Sequence, residues 1–181
     1  PYADGKTYLL PLFYSPTGLF HNKTLLKDKG YELPTTWDEM FTLGDKAKAD
    51  GISLWSYPTA GYLDAMIPPM IAAAGGTKAF DDAMNYAEGF WTSTPATKTL
   101  ETIGKLKDYI EPTVVANANG QGFKNNQQLI LDNKVLFIPN GNWLPGEMAD
   151  APRAEGFEWG FMPYPSFEKG GDQYSISFIE Q

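Results

Sequence analysis

The sequence predicts an α/β layer arrangement in a single domain, and three observations carry that prediction. Short apolar runs such as "ISLWSYP" and "KVLFIP" alternate with longer stretches whose apolar residues recur at helical spacing, the signature of strands separated by packed helices. A length of 181 residues suits one hydrophobic core. No repeat with a period of roughly 20–50 residues is present, and no linker-like stretch divides the chain, so residues 1–181 are read as one domain.

Taken in order, "KTYLLPLFYSPTGLFHNK" opens with aliphatic and aromatic residues interrupted by Pro11, Ser15, Pro16 and Gly18. This spacing predicts a strand at 6–10, an irregular crossing at 11–16 and a second strand at 17–22. A helix from Lys23 to about Lys29 follows, stopped by Gly30. Thr36 and Glu39 stand at capping-box spacing, and Trp37, Met40, Phe41 and Ala47 form one apolar stripe before Gly51 ends that helix. "ISLWSYP" suits a strand that delivers a polar and aromatic turn.

In "TAGYLDAMIPPMIAAAGG", Met66, Met70, Ala73 and Ala74 fall at helical spacing, with prolines early and a stop expected at Gly75-Gly76. Residues 79–91 alternate packing and polar faces at the same period. Thr94 and Pro95 start a helix that runs through Leu100, Ile103, Leu106 and Ile110 to Pro112. "TVVANANGQGF" reads as a surface loop, and "KNNQQLILDN" offers Phe123, Gln127 and Ile130 as a helical face. "KVLFIP" switches to strand. A short strand around 158–162, a proline-punctuated crossing and a final strand near 174–178 complete the chain.

Composition excludes several function classes. Fourteen Lys and Arg stand against 22 Asp and Glu, a formal net charge of −8, and the longest basic cluster is "KLK" at 105–107. A nucleic-acid surface needs a positive footprint that is missing here. The chain has no cysteine and one histidine, which removes thiolate chemistry and histidine-cluster metal sites. No cofactor motif is present: "AAAGGTKAF" lacks the phosphate-loop register, and "GQG" at 120–122 follows no strand. The most apolar segment, "AMIPPMIAAAGG", is short and proline-broken. The first residues carry neither an initiating Met nor a signal-peptide profile, as though cut from something longer.

No G-x-S-x-G elbow accompanies the serines, and His21 in "GLFHNK" reads as a packing or hydrogen-bonding residue. Asp64 and Glu147, beside turns, are the carboxylates best placed for glycoside chemistry, although two such acids near loops are expected by chance among 22. "NKT" at 22–24 matches a glycosylation acceptor.

What stands out is 14% aromatic content with Tyr14, Tyr57, Tyr62 and Trp143 at loops, and Asn140 and Asn142 beside the last. A sugar ring presents C–H groups on its face and hydroxyls on its rim, so an aromatic plate flanked by amides and carboxylates matches both. If Trp143 covers about 100 Å² of apolar ligand surface, the area term reaches roughly 2.5 kcal/mol, reduced by association costs. The same tryptophan also suits packing under its own turn, and the residue pattern alone favours packing. A glycoside-acting enzyme and a protein-interaction domain with core aromatics stand as rival readings.

Several motifs in one order point further. "DGKTYLLPLFYSPTGLFHNKTLLKDKG", "PTTWDEM", "IPPMIAAAGG", and "NKVLFIPNGNW" with "EWGFMPYP" together resemble the sugar-type extracellular solute-binding proteins of bacterial ABC importers, the maltodextrin-binding-like family, over nearly the whole chain. The resemblance implies one lobe of a two-lobe periplasmic-binding-protein-like fold, with layered helices around a mixed sheet. It implies mainly the second lobe, with crossing segments near 9–17 and 162–175 and the rest of the parent outside this chain. It also implies a non-enzymatic carbohydrate-binding component without cofactor, whose partners are a mono- or oligosaccharide and, in the intact parent, a membrane permease. The location implied is extracellular or periplasmic, with a membrane tether ahead of Pro1 as one option.

Carried over position by position, Trp143 matches the family's sugar-stacking tryptophan, with Gly141 and Asn142 shaping its turn. Tyr14 falls near the cleft-lining crossing, and Tyr57, Tyr62 and Asp64 fall in the variable ligand-side loop. The maltodextrin-binding type places a glutamate followed by aromatics where this chain has "GYLDAMI", so the resemblance supports carbohydrate and not maltose.

Overall fold

One ten-residue strand organises the fold. The structure is a computed structural model describing residues 5, 6, 8, 10 and 12–180. In chain order its elements are β1 (Phe13–Asn22), α1 (Lys23–Lys29), α2 (Trp37–Ala49), β2 (Ser53–Trp55), α3 (Gly61–Asp64), α4 (Ile67–Met84), α5 (Thr94–Leu106), α6 (Val114–Asn117), α7 (Phe123–Leu131), β3 (Val135–Gly141), α8 (Leu144–Glu147), β4 (Trp159–Met162) and β5 (Ile176–Glu180).

β1 pairs antiparallel with β3 along one side, from Thr17 opposite Gly141 to His21 opposite Phe137. Its other side is shared end to end. β4 covers Leu19 to Asn22, and β5 covers Phe13 to Thr17. β2 extends the sheet beyond β3 in parallel, giving the order β2-β3-β1-β4. The result is a mixed sheet flanked by helices, the α/β arrangement expected of one lobe of a periplasmic-binding-protein-like fold.

Local chemistry explains most boundaries. Asn22 caps α1 by accepting from the Leu25 amide, and Gly30 ends it in a left-handed conformation at φ 65°. Thr36 and Glu39 make the capping box of α2, whose buried face holds Trp37, Met40, Phe41 and Ala47. The core is built on that face: Trp37, Trp55, Phe137, Leu19 and Met162 lie in one buried cluster. Phe20, Ile130, Ile138 and Leu144 form a second cluster.

Several expectations are corrected. Residues 13–16 do not belong to an irregular crossing, because β1 already begins at Phe13 and runs through Pro16. The proline is tolerated there because the Pro16 carbonyl accepts from the Asn142 amide on the β3 side. Its missing N–H therefore points past the last ladder pair of β3 and costs no sheet hydrogen bond. The strand expected at 6–10 falls partly outside the described residues, and Lys6, Tyr8 and Leu10 are in no regular element.

Gly75-Gly76 does not stop α4: Gly76 breaks its geometry at φ 74°, ψ −174°, and the helix resumes to Met84. Ala79 and Ala83 then join Ile71, Phe90 and Ala96 in a third buried cluster that holds the second segment in place. The helical period expected over 79–91 ends instead at Met84. Tyr86, at φ 54°, donates its amide to Ala83, and the Ala87 amide reaches Asp82, which closes the helix end. Within "TVVANANGQGF", α6 forms with Val114 fully buried, because the buried Asn126 amide bonds both the Val114 and Tyr57 carbonyls.

Candidate functional site

The site forms where β3 ends. Val135 to Gly141 is buried throughout, and the chain then turns sharply. Asn140 Oδ1 accepts from the Gly141 amide at 2.8 Å, and the Asn142 amide donates to the Pro16 carbonyl at 3.1 Å, so the turn is tied both to itself and to β1. Opposite Gly141, Thr17 Oγ1 donates to the Ile176 carbonyl at 2.8 Å. β1, β3 and β5 are thereby fixed together at one end of the sheet.

Trp143 stands just ahead of α8, whose first turn closes from the Glu147 amide to the Trp143 carbonyl at 2.9 Å. Its side chain is half-buried. The Cε3, Cζ3 and Cη2 side of the ring lies against Gly141, where a Cβ would overlap it. Glycine at 141 is therefore a requirement of the ring's position.

α3 brings Tyr62 to the same place. The Tyr62 hydroxyl lies close enough to the Trp143 indole to feel its N–H. Burial raises the Tyr62 pKa, the nearby Trp143 N–H opposes that rise, and the charge on Glu147 adds to it. Glu147 is itself anchored by Gln127, a buried residue of α7 that donates through Nε2 to Glu147 Oε2 at 2.9 Å.

Tyr62 also lines a pocket of about 170 Å³ with Thr17, Thr59, Ala65, Asn140 and Tyr164. Tyr164 is buried there, and burial pushes its hydroxyl pKa up. Asn140 is 1% exposed, and its Nδ2 has no hydrogen-bond partner among the described residues. Among the described residues no group of three or more histidines and acids is arranged to hold a metal ion.

Of the seven residues singled out by sequence, the structure brings together Trp143, Gly141 and Tyr62, with Asn142 exposed in the connecting turn. Tyr57 is 6% exposed and belongs to the main core cluster. Tyr14 is 64% exposed on β1, three positions from Thr17, so strand alternation sends its side chain to the other face. Asp64 is exposed at the end of α3 and is not part of the pocket lining. His21 is buried between β3 and β4, opposite Phe137 and Gly160. Asn22 of the "NKT" motif is fully buried, donating to the Ile130 carbonyl and Asn133 Oδ1.

Sequence reasoning missed Thr17, Thr59, Tyr164 and Gln127 as site neighbours. Thr17 and Tyr164 reach the pocket through sheet pairing and a loop crossing, which no local pattern encodes. Gln127 did carry a signal, a polar residue in the middle of an apolar helical face.

The bacterial extracellular solute-binding protein family model matches residues 1–179, nearly the full chain. The chain belongs to this family. Among curated solute-binding proteins, diacetylchitobiose binding protein NgcE of Streptomyces coelicolor is 31% identical over 145 residues, covering 76% of this chain and 30% of that protein. The multiple sugar-binding protein of Streptococcus mutans is 27% identical, covering 93% of this chain and 40% of that one. Apo RafE from Streptococcus pneumoniae shares the fold with a TM-score of 0.74 at 23% identity, over 92% of this chain and 43% of RafE. The chain thus spans well under half the length of these solute-binding proteins.

Proposed function

We propose that this chain is the second lobe of a two-lobe carbohydrate receptor serving an ABC importer, and that Trp143 is its sugar-stacking wall. The observation that carries the proposal is the half-buried indole held at the end of β3 beside a small, largely apolar pocket that includes Thr17, Thr59 and Asn140 in its wall. The indole supplies a plate for the C–H face of a sugar, and Thr17, Thr59 and Asn140 supply polar groups close by. Family membership and the sugar-binding names of the relatives support the same reading. The role is binding and not catalysis, in keeping with those relatives.

In the intact receptor the ligand is a mono- or oligosaccharide enclosed between this lobe and the other, and closure presents a docking surface to a membrane permease. The receptor works outside the cytoplasmic membrane. Asn142 and Asp64 belong to the outer rim of the proposed cleft, Tyr57 supports it from the core, and Tyr14, on the other face of β1, is no part of it.

The test is calorimetric titration of the full-length receptor with galactose, raffinose, stachyose, maltotriose and diacetylchitobiose. At least one of these binds, and Trp143→Ala weakens that sugar by about tenfold to fiftyfold. Binding of a polyamine or ferric ion with no response to any sugar overturns the proposal.

A further inference from the structure

Glu147 is exposed at the end of α8, where water alone would satisfy its carboxylate. It nevertheless accepts a hydrogen bond at 2.9 Å from Nε2 of Gln127, a side chain of α7 that is only 1% exposed. A buried amide thus reaches out of the core to hold a surface acid.

For the fold alone, Gln127 is a poor choice. Ile130 and Leu131, three and four positions on, make the rest of that buried face of α7 apolar, and leucine at 127 would continue it. Among the described residues Gln127 Oε1 is buried without a hydrogen-bond partner, a costly state for a polar atom. The one bond gained in return fixes a carboxylate that stability does not require to be fixed. The arrangement serves position.

The position held is beside the candidate site. The Glu147 amide donates to the Trp143 carbonyl at 2.9 Å, which sets the two residues one helical turn apart, and side chains four positions apart leave a helix on the same side. Glu147 is also near enough for its charge to act on the Tyr62 hydroxyl, and Tyr62 lines the pocket with Thr17 and Thr59. The carboxylate therefore neighbours both the indole and the pocket wall. An ionised carboxylate only accepts hydrogen bonds, and the bond from Gln127 uses one of the several lone pairs it offers.

We infer that Glu147 is a specificity-determining carboxylate that accepts hydrogen bonds from rim hydroxyls of the sugar on Trp143, and that buried Gln127 is the positioning residue that holds it there. Both roles rest on the reading of Trp143 as the stacking wall. They narrow the ligand to a neutral sugar. A hydroxyl gives the carboxylate a charge-assisted hydrogen bond, whereas a uronate would bring a second negative charge against it.

The experiment is calorimetric titration of the full-length receptor with the tightest binder among raffinose, stachyose and maltotriose. Glu147→Gln, which keeps the shape and removes the charge, weakens that sugar about threefold to thirtyfold. Gln127→Leu weakens it about threefold to tenfold while the urea midpoint holds or rises, and it has no effect on affinity in a Glu147→Gln background. Galacturonate does not displace the sugar.

Unchanged affinity in Glu147→Gln, with Trp143→Ala still weakening the sugar, overturns the inference and leaves the stacking role intact. A Gln127→Leu variant that loses stability and keeps its affinity, or that loses affinity equally in both backgrounds, overturns the positioning role. Displacement by galacturonate overturns the assignment to neutral sugars. Unchanged affinity in Trp143→Ala, or no binding of any of the three sugars, removes the stacking role and this inference with it.

Discussion

The two ends of the β1–β3 ladder treat their tryptophans in opposite ways. At one end His21 stands opposite Phe137, their ring centroids 5.9 Å apart, and Phe137 packs beside Trp55 at 6.4 Å. Trp55 in turn meets Trp37 at 6.1 Å and is fully buried. At the other end Thr17 stands opposite Gly141, and Trp143, two residues past the strand, is half-buried on that glycine. A tryptophan in register with the sheet becomes core. One placed just beyond the strand, after a residue with no side chain, becomes a surface.

The indole nitrogens sharpen the contrast. Among the described residues Trp55 Nε1 is buried without a hydrogen-bond partner, so the Trp55 ring is held there by packing. Trp143 instead rests half-buried on Gly141, with its N–H near the Tyr62 hydroxyl. Packing on all sides makes a residue matter for stability, and seating an open ring on a glycine makes it matter for the surface it presents.

The largest expected effect tests that division. Trp55→Ala removes a fully buried ring from the main core cluster and is expected to cost about 3–5 kcal/mol of stability. Trp143→Ala, which removes a half-exposed ring, is expected to cost under about 1 kcal/mol. Urea denaturation of the two variants measures both, and similar losses would erase the distinction between the two ends.

His21 provides a second test of the closed end. Its pKa is lowered from 6.5 to about 4, first by burial and then by the positive charge of Lys23. The unfolded chain therefore takes up this proton at higher pH than the folded one. The stabilisation is complete above pH 6.5 and is lost as pH falls through the interval down to about 4. Between pH 6.5 and about 5 the loss is about 2 kcal/mol. Because His21 is the only histidine, His21→Gln should flatten the urea midpoint across that interval. A slope that survives the substitution places its source elsewhere.

The closed end was also the more legible one in sequence. Asn22, Gly30, Thr36 and Glu39 carry their structural instructions within a few residues, and α1 and the capping box of α2 form as expected. "KVLFIP" announces a buried strand because β3 is covered on both faces. Local pattern failed where distant pairing decides: Pro16 reads as a break until Asn142 and β5 are in place, and Gly76 reads as a stop until Ala79 and Ala83 find Phe90. At the site, "NGNW" suggested a displayed tryptophan, but the approach of Tyr62 and the Thr17 partnership join segments far apart in the chain. Tyr57 and Tyr62 both follow β2, and only the path through α3 separates a core tyrosine from a pocket one.

The smallest effects come from two glycines on either side of Trp143. A methyl group at Gly141 would overlap the Trp143 ring, whereas one at Gly146 meets nothing within 4 Å. Gly146 lies inside α8, where alanine is favoured over glycine by up to about 1 kcal/mol because less backbone freedom is lost on folding. Gly146→Ala should therefore raise stability slightly and leave sugar affinity unchanged. Gly141→Ala should push the indole off its seat and weaken the sugar by about tenfold, the loss that accompanies an ordered plate becoming a disordered one. Thermal melts and sugar titrations of the pair measure both quantities. If both alanines leave affinity unchanged, the open end of the ladder does not need an empty position beneath its tryptophan, and the contrast with Trp55 reduces to burial alone.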